Sequence, residues 1–140
     1  MIFKRLNRTS PEQVFAVFQA SEAGIAADDV VMIDTSSNDG VAVEQPTGLL
    51  GLVVGVVDAA IANGAYGLVQ IYGYRSTSRV NFTGASVTPG VALAPQADSD
   101  NLIAGATVPA AYLPAFAAID SLASSGTTGT ASIKIFIRCM

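Results

Sequence analysis

Apolar and polar positions alternate most regularly near the end of the chain. In residues 131–139, Ile133, Ile135 and Ile137 fall on one side and Lys134, Phe136 and Arg138 on the other, the period of a strand. Residues 49–57, LLGLVVGVV, form an unbroken apolar run that predicts a buried strand, and residues 66–74, YGLVQIYGY, a second strand of strong β-formers. Leu68, Gln70, Tyr72 and Tyr74 would share one face of it and Val69 and Ile71 the other, with a turn at Asn63-Gly64 between the two strands. Gly51, Gly55 and Gly67 suggest bulges or close backbone approaches within this pair.

Shorter elements follow the same logic. Ser10-Pro11-Glu12-Gln13 has the form of a helix start, but the β-forming run Val14-Phe15-Ala16-Val17-Phe18 favours a strand over residues 14–19. Residues 30–34 and 41–44 read as strands joined by a turn at Asp39-Gly40, and Pro46 ends the second because proline donates no ladder bond. Residues 79–82 and 91–93 are further short strands. Residues 96–118 carry Pro109, Pro114 and many alanines, which predicts an irregular, partly helical excursion, with residues 119–122 returning to the sheet. A turn signal every eight to twelve residues predicts a mainly β fold, an antiparallel sandwich or barrel. An N-terminal arm over residues 1–13 and a single β-domain over 14–140 are the expected organisation.

Composition changes the picture in one respect. Charged residues make up 13% of the 140, against about 25% in ordinary globular domains, while apolar residues make up 51%. A small surface with so few charges is expected to be covered by partners. Lys4, Arg5 and Arg8 stand at the start and the next basic residue is Arg75, with eight acids between them, so the arm suits an acidic neighbour, including another copy of the chain. Three basic residues on a net charge of −4 argue against nucleic-acid binding. The apolar run stops at Asp58, short of the ~20 residues that a membrane helix needs, and the polar start does not fit a signal peptide.

Chemistry is sparse. With no histidine and one cysteine, Cys139, imidazole catalysis, cysteine zinc sites and intrachain disulfides are excluded. Asp34-Thr35-Ser36-Ser37-Asn38-Asp39-Gly40 begins like a calcium loop, yet Asp39 stands where glycine makes the turn and Gln45 where a bidentate glutamate is needed. No phosphate loop, dinucleotide fingerprint or nucleophile elbow is present. No catalytic, cofactor or metal site is expected. Tyr66, Tyr72 and Tyr74 leave open a stacking platform for sugars, which would make the chain a carbohydrate-binding module.

LGLVVGVV at residues 50–57, IANGAYGLVQIYGY at 61–74, PGVAL at 89–93 and IKIFIRCM at 133–140 together resemble the small capsid decoration, or cement, proteins of tailed bacteriophages. The resemblance runs from about residue 24 to the C-terminus and rests on the order and spacing of these strands. It implies a β-domain that binds the exterior of an expanded capsid, commonly as a homotrimer where capsomers meet, and strengthens the shell. The implied partners are the major capsid protein and other copies of the chain, and the implied location is the virion. Lys4, Arg5 and Arg8 of the arm and Tyr112, Leu113 and Phe116 of the excursion are the expected contact residues. A head-fibre base or another minor head protein is the neighbouring alternative.

Overall fold

A computed structural model describes residues 12–37, 39–48, 50–83, 87–104, 116–122 and 128–139. Among these residues the secondary structure is almost wholly β. The strands are β1 (Gln13–Ala20), β2 (Val30–Ile33), β3 (Ala42–Glu44), β4 (Val53–Val57), β5 (Tyr66–Arg75), β6 (Arg79–Thr83), β7 (Ala92–Pro95), β8 (Leu102–Ala104), β9 (Phe116–Ala118), β10 (Thr128–Ser132) and β11 (Ile135–Arg138). A short 3-10 turn over Leu50–Leu52, holding Gly51, precedes β4.

The first five strands close into a barrel in the order β1-β3-β2-β4-β5, because β5 returns to pair with β1. The β1–β3 pair is parallel and the other pairs of the ring are antiparallel. Closure removes the open strand edges that would otherwise invite aggregation. Ala20, Ile25, Val31, Val43, Val57, Ile61 and Val69 fill its interior.

The remaining strands build a second core against the barrel wall. β5 runs on into β6, and β10 into β11; β11 pairs with β5 and β10 with β6, so the four form one long antiparallel ribbon. The ribbon bends at residues 76–78 and 133–134, where the Ile133 amide donates to the Ser78 carbonyl at 3.0 Å. From β11 the sheet continues through β9, β7 and β8 and meets the ribbon again at β6, the β6–β8 pair being parallel. Val80, Leu93, Leu102, Phe116, Ile133, Ile135 and Ile137 pack within this circuit. Val30 and Val56, cross-strand partners, join this second core, while their neighbours Val31 and Val57 belong to the barrel core. That two-sided burial is why VVMI and VVGVV are apolar throughout.

Two sequence expectations need correction. Residues 131–139 are not one strand: β10 ends at Ser132, and β11 begins at Ile135 on different neighbours. The isoleucine alternation survives the break, with Ile133, Ile135 and Ile137 all buried. Within 96–118 no helical turn occurs among the described residues, which instead form β8 and β9; residues 105–115 lie outside them. The physical reason is the alternation of Leu102/Ala104 and Phe116/Ala118, whose buried sides complete the second core. Residues 119–122 form no strand; the Ile119 amide donates to the Lys134 carbonyl at 2.9 Å, and Leu122 forms an isolated bridge with Val87.

Close approach explains two of the glycines singled out in the sequence. A Cβ on Gly55 would lie 2.1 Å from the Gln70 carbonyl oxygen, and one on Gly67 2.5 Å from the Ile61 side chain. Gly73 was not anticipated: it has φ +103°, which side-chain-bearing residues rarely adopt, and a Cβ there would lie 1.9 Å from the Glu12 carbonyl oxygen. It lets the N-terminal end of β1 lie directly on β5.

Candidate interaction surface

The outer face of the β1–β5 ribbon is built from residues that pair across the strands. Val17 stands opposite Leu68, and Gln19 opposite Tyr66. Tyr66 and Leu68, two residues apart, share a side of β5 with Val17 beside them. Their exposures are 59% for Val17, 65% for Tyr66 and 46% for Leu68, so three of the large exposed apolar residues lie together. β1 has no charged residue, and the one charge in β5, Arg75, is buried at its far end. The glutamines of β1 are tied down: Gln19, beside the patch, donates from Nε2 to the Gly64 carbonyl, and Gln13, at the far end of the strand, to the Tyr74 carbonyl, both at 2.8 Å. The face is therefore apolar.

Charge is concentrated elsewhere, in two clusters. Arg75 donates from Nη2 to Asp28 Oδ1 (2.7 Å) and the Val57 carbonyl (2.8 Å), and from Nη1 to Gln70 Oε1 (3.3 Å) and Asp58 Oδ1 (3.5 Å). Asp28 also accepts from the Thr77 hydroxyl at 2.9 Å. The guanidinium thus ties the start of β2, the end of β4 and the bend after β5 to one another. Burying it is tolerable because each side of its fork meets an acceptor.

In the second cluster Arg79 Nη1 sits 3.1 Å from Asp29 Oδ1 and 3.6 Å from Asp100 Oδ2. Asp29 is only 3% exposed, and its Oδ2 accepts from the Ala26 amide at 2.6 Å. Its Oδ1 has a charge contact with Arg79 but no aligned hydrogen bond. Burial, reinforced by the nearby Asp100 carboxylate, pushes the Asp29 carboxyl up to about 6, against the opposing pull of the Ala26 amide and Arg79. Glu22, Gly24, Asp29, Gln45 and Asp100 line a cavity of about 100 Å³ beside it. One guanidinium between two carboxylates is a structural ion network; no serine, threonine, cysteine or lysine is among the residues that line the cavity.

The other candidate groups have local duties. Asp34 accepts from the Ser36 amide and hydroxyl, and Asp39 from the amides of Val41 and Ala42; these bonds hold both carboxyls below the usual range. The loop that begins like a calcium site thus uses its carboxylates to shape its own turn. Burial pushes the Cys139 thiol up to about 12, away from the reactive thiolate. Tyr72 packs edge-on against Phe136 at 5.4 Å, so it serves sheet packing, and Tyr66 alone of the three tyrosines is strongly exposed.

Of the contact residues expected from the sequence, Lys4, Arg5, Arg8, Tyr112 and Leu113 lie outside the described residues. Phe116 lies in β9 with its ring fully buried in the second core; as placed it faces the interior. The Val17–Leu68–Tyr66 face was not singled out in the sequence. Its signal was present as two long strands with almost no charge, but which side of each strand meets water depends on barrel closure. Among the described residues no helix is long and apolar enough to cross a membrane.

No family model matches the chain, and no curated protein matches it by sequence. Among solved structures it is similar to the head fiber gp8.5 N base in bacteriophage phi29, with 12% identity and a TM-score of 0.52. The superposition covers 91% of this chain and 96% of that one. The two share a fold across nearly their whole lengths.

Proposed function

We propose that this chain is a structural protein of a phage virion, bound to the outer surface of the capsid, where it stabilises the shell as a cement or decoration protein. The observation that carries this reading is the fold shared with a head-fibre base over nearly all of both chains. The resemblance of its strand motifs to cement proteins supports it. So do the scarcity of charge and the internal pairing of Arg75 and Arg79 with carboxylates, which suit a packing module. In this reading the chain works as a staple, weak at one site and strong where linked copies bind several lattice sites at once, which is avidity. Three copies would sit together, with Lys4, Arg5 and Arg8 reaching an acidic neighbour and Tyr112 and Leu113 adding contacts.

The test is to add the purified protein to heads assembled without it and follow DNA release on heating. Cement raises the release temperature in proportion to occupancy; an unchanged temperature at full occupancy contradicts that role. The fold likeness favours one second reading, the base of a head fibre. A fibre base that only anchors a fibre would leave the release temperature where it was. Light scattering over a dilution series checks the trimer, which requires a species near three times the 14.3 kDa chain.

A further inference from the structure

We infer that the outer face of the β1–β5 ribbon, centred on Val17, Tyr66 and Leu68, is the surface that docks on the capsid, against an uncharged, apolar patch of a shell subunit. The inference rests on the capsid-exterior reading above and deepens it.

Three properties of the face select this occupant. It is apolar and its flanking amides are already bonded to backbone carbonyls, so it offers little to a polar ligand. Asp58, whose amide donates to the Leu68 carbonyl, shares the Arg75 guanidinium with Asp28, so the charge at that edge of the face is partly offset within the chain. A partner complementary to the centre of the face is therefore uncharged and apolar.

Area separates a shell subunit from a second copy. Three side chains of this size and exposure present on the order of 300 Å², an ordinary patch for a monomer. A stable pair of proteins needs about 800 Å² from each partner. The patch alone is too small to hold a second copy in dilute solution. On a shell the copies of the proposed trimer would each present this face at once, and their linkage supplies what area does not. The position of the arm agrees with this. Eleven residues precede Glu12, which lies at the start of the same strand, against Gly73; fully extended they span roughly 36 Å. Lys4, Arg5 and Arg8 are thus within reach of the same shell region that the face would meet.

The test uses heads assembled without the protein and compares the full chain with Val17→Glu, Leu68→Glu and Tyr66→Ser, plus Ile119→Glu as a control at an exposed apolar residue away from the ribbon. Thermal melts of each variant establish folding before binding is measured. The expected result is a loss of head binding of about tenfold or more for the two glutamate variants, a smaller loss for Tyr66→Ser, and none for Ile119→Glu. Equal binding by folded ribbon variants overturns the inference while leaving the capsid reading intact. Variants that keep head binding but lose self-association assign the face to a second copy, which also overturns it. Failure of the unaltered chain to bind overturns the capsid reading and the inference together.

Discussion

Replacing Arg75 with methionine keeps much of the aliphatic stem and removes the guanidinium. Gln70, which is fully buried, then loses the donor to its Oε1 while its Nε2 still donates to the Tyr72 and Tyr74 carbonyls. An unsatisfied buried acceptor costs about 1–3 kcal/mol. Asp28 loses both guanidinium contacts but keeps the Thr77 hydroxyl, and its side chain is 26% exposed, so water recovers part of the loss. The Val57 carbonyl keeps the Asp28 amide. Together these losses amount to about 3–4 kcal/mol, within the range for breaking a buried pair from one side. For a chain of this length that corresponds to a fall in Tm of roughly 10 °C. Circular dichroism melts of the unaltered protein, Arg75→Met and Arg75→Lys measure it. Lysine keeps the charge but not the fork, and its melt falls between the other two. A methionine variant melting within about 2 °C of the unaltered protein would refute the claim that this guanidinium holds β2, β4 and β5 together.

The Asp29 carboxyl, raised from 3.8 to about 6, makes folding more favourable as pH falls. Its folded pKa exceeds its unfolded one, so the folded state binds the extra proton between about pH 7 and 4; the cost of keeping it ionised at pH 7, about 3 kcal/mol, is relieved across that window. Melts from pH 7 to 4 are expected to rise, and Asp29→Asn to flatten the rise; a fall in both would contradict this. Asp34 and Asp39 are shifted the other way, so their contribution is lost only as pH drops through their lowered values. Gly73→Ala combines a positive φ with a Cβ 1.9 Å from the Glu12 carbonyl, and is expected to cost about 3 kcal/mol in denaturant unfolding. Cys139 is expected to resist a maleimide at pH 7.5 in the native protein and to react at once in guanidinium; rapid native labelling would contradict its burial.

The strands legible in the sequence were those whose alternation or apolar run is set locally. β1 and β5 lie close to where the pattern put them, β4 takes only the second half of the 49–57 run after a 3-10 turn, β11 takes only the end of 131–139, and Asp39-Gly40 and Asn63-Gly64 sit in the loops that join their strands. What the pattern did not contain was partner choice. The parallel β1–β3 pair and the bend at Ile133-Lys134 arise from how distant strands meet, and no local period encodes either. β8 and β9 were hidden because LIA and FAA are too short and alanine-rich to read as strands; they become strands by filling the second core. Arg75 stood in the sequence only as the next basic residue after the arm, and the convergence of Asp28, Asp58 and Gln70 makes it internal. The same holds for the candidate surface: the pattern put Leu68 on one face of its strand without saying which face meets water, and closure of the barrel turns Val17 and Leu68 outward.

The central claim is that the chain sits on the outside of a phage head. Cryo-electron microscopy of heads assembled without the protein, imaged before and after adding it, tests this most directly. The account predicts new density on the outer surface at repeated lattice positions, fitted by the barrel with its β1–β5 face toward the shell. Unchanged heads at saturating protein, or density confined to the interior, would contradict it.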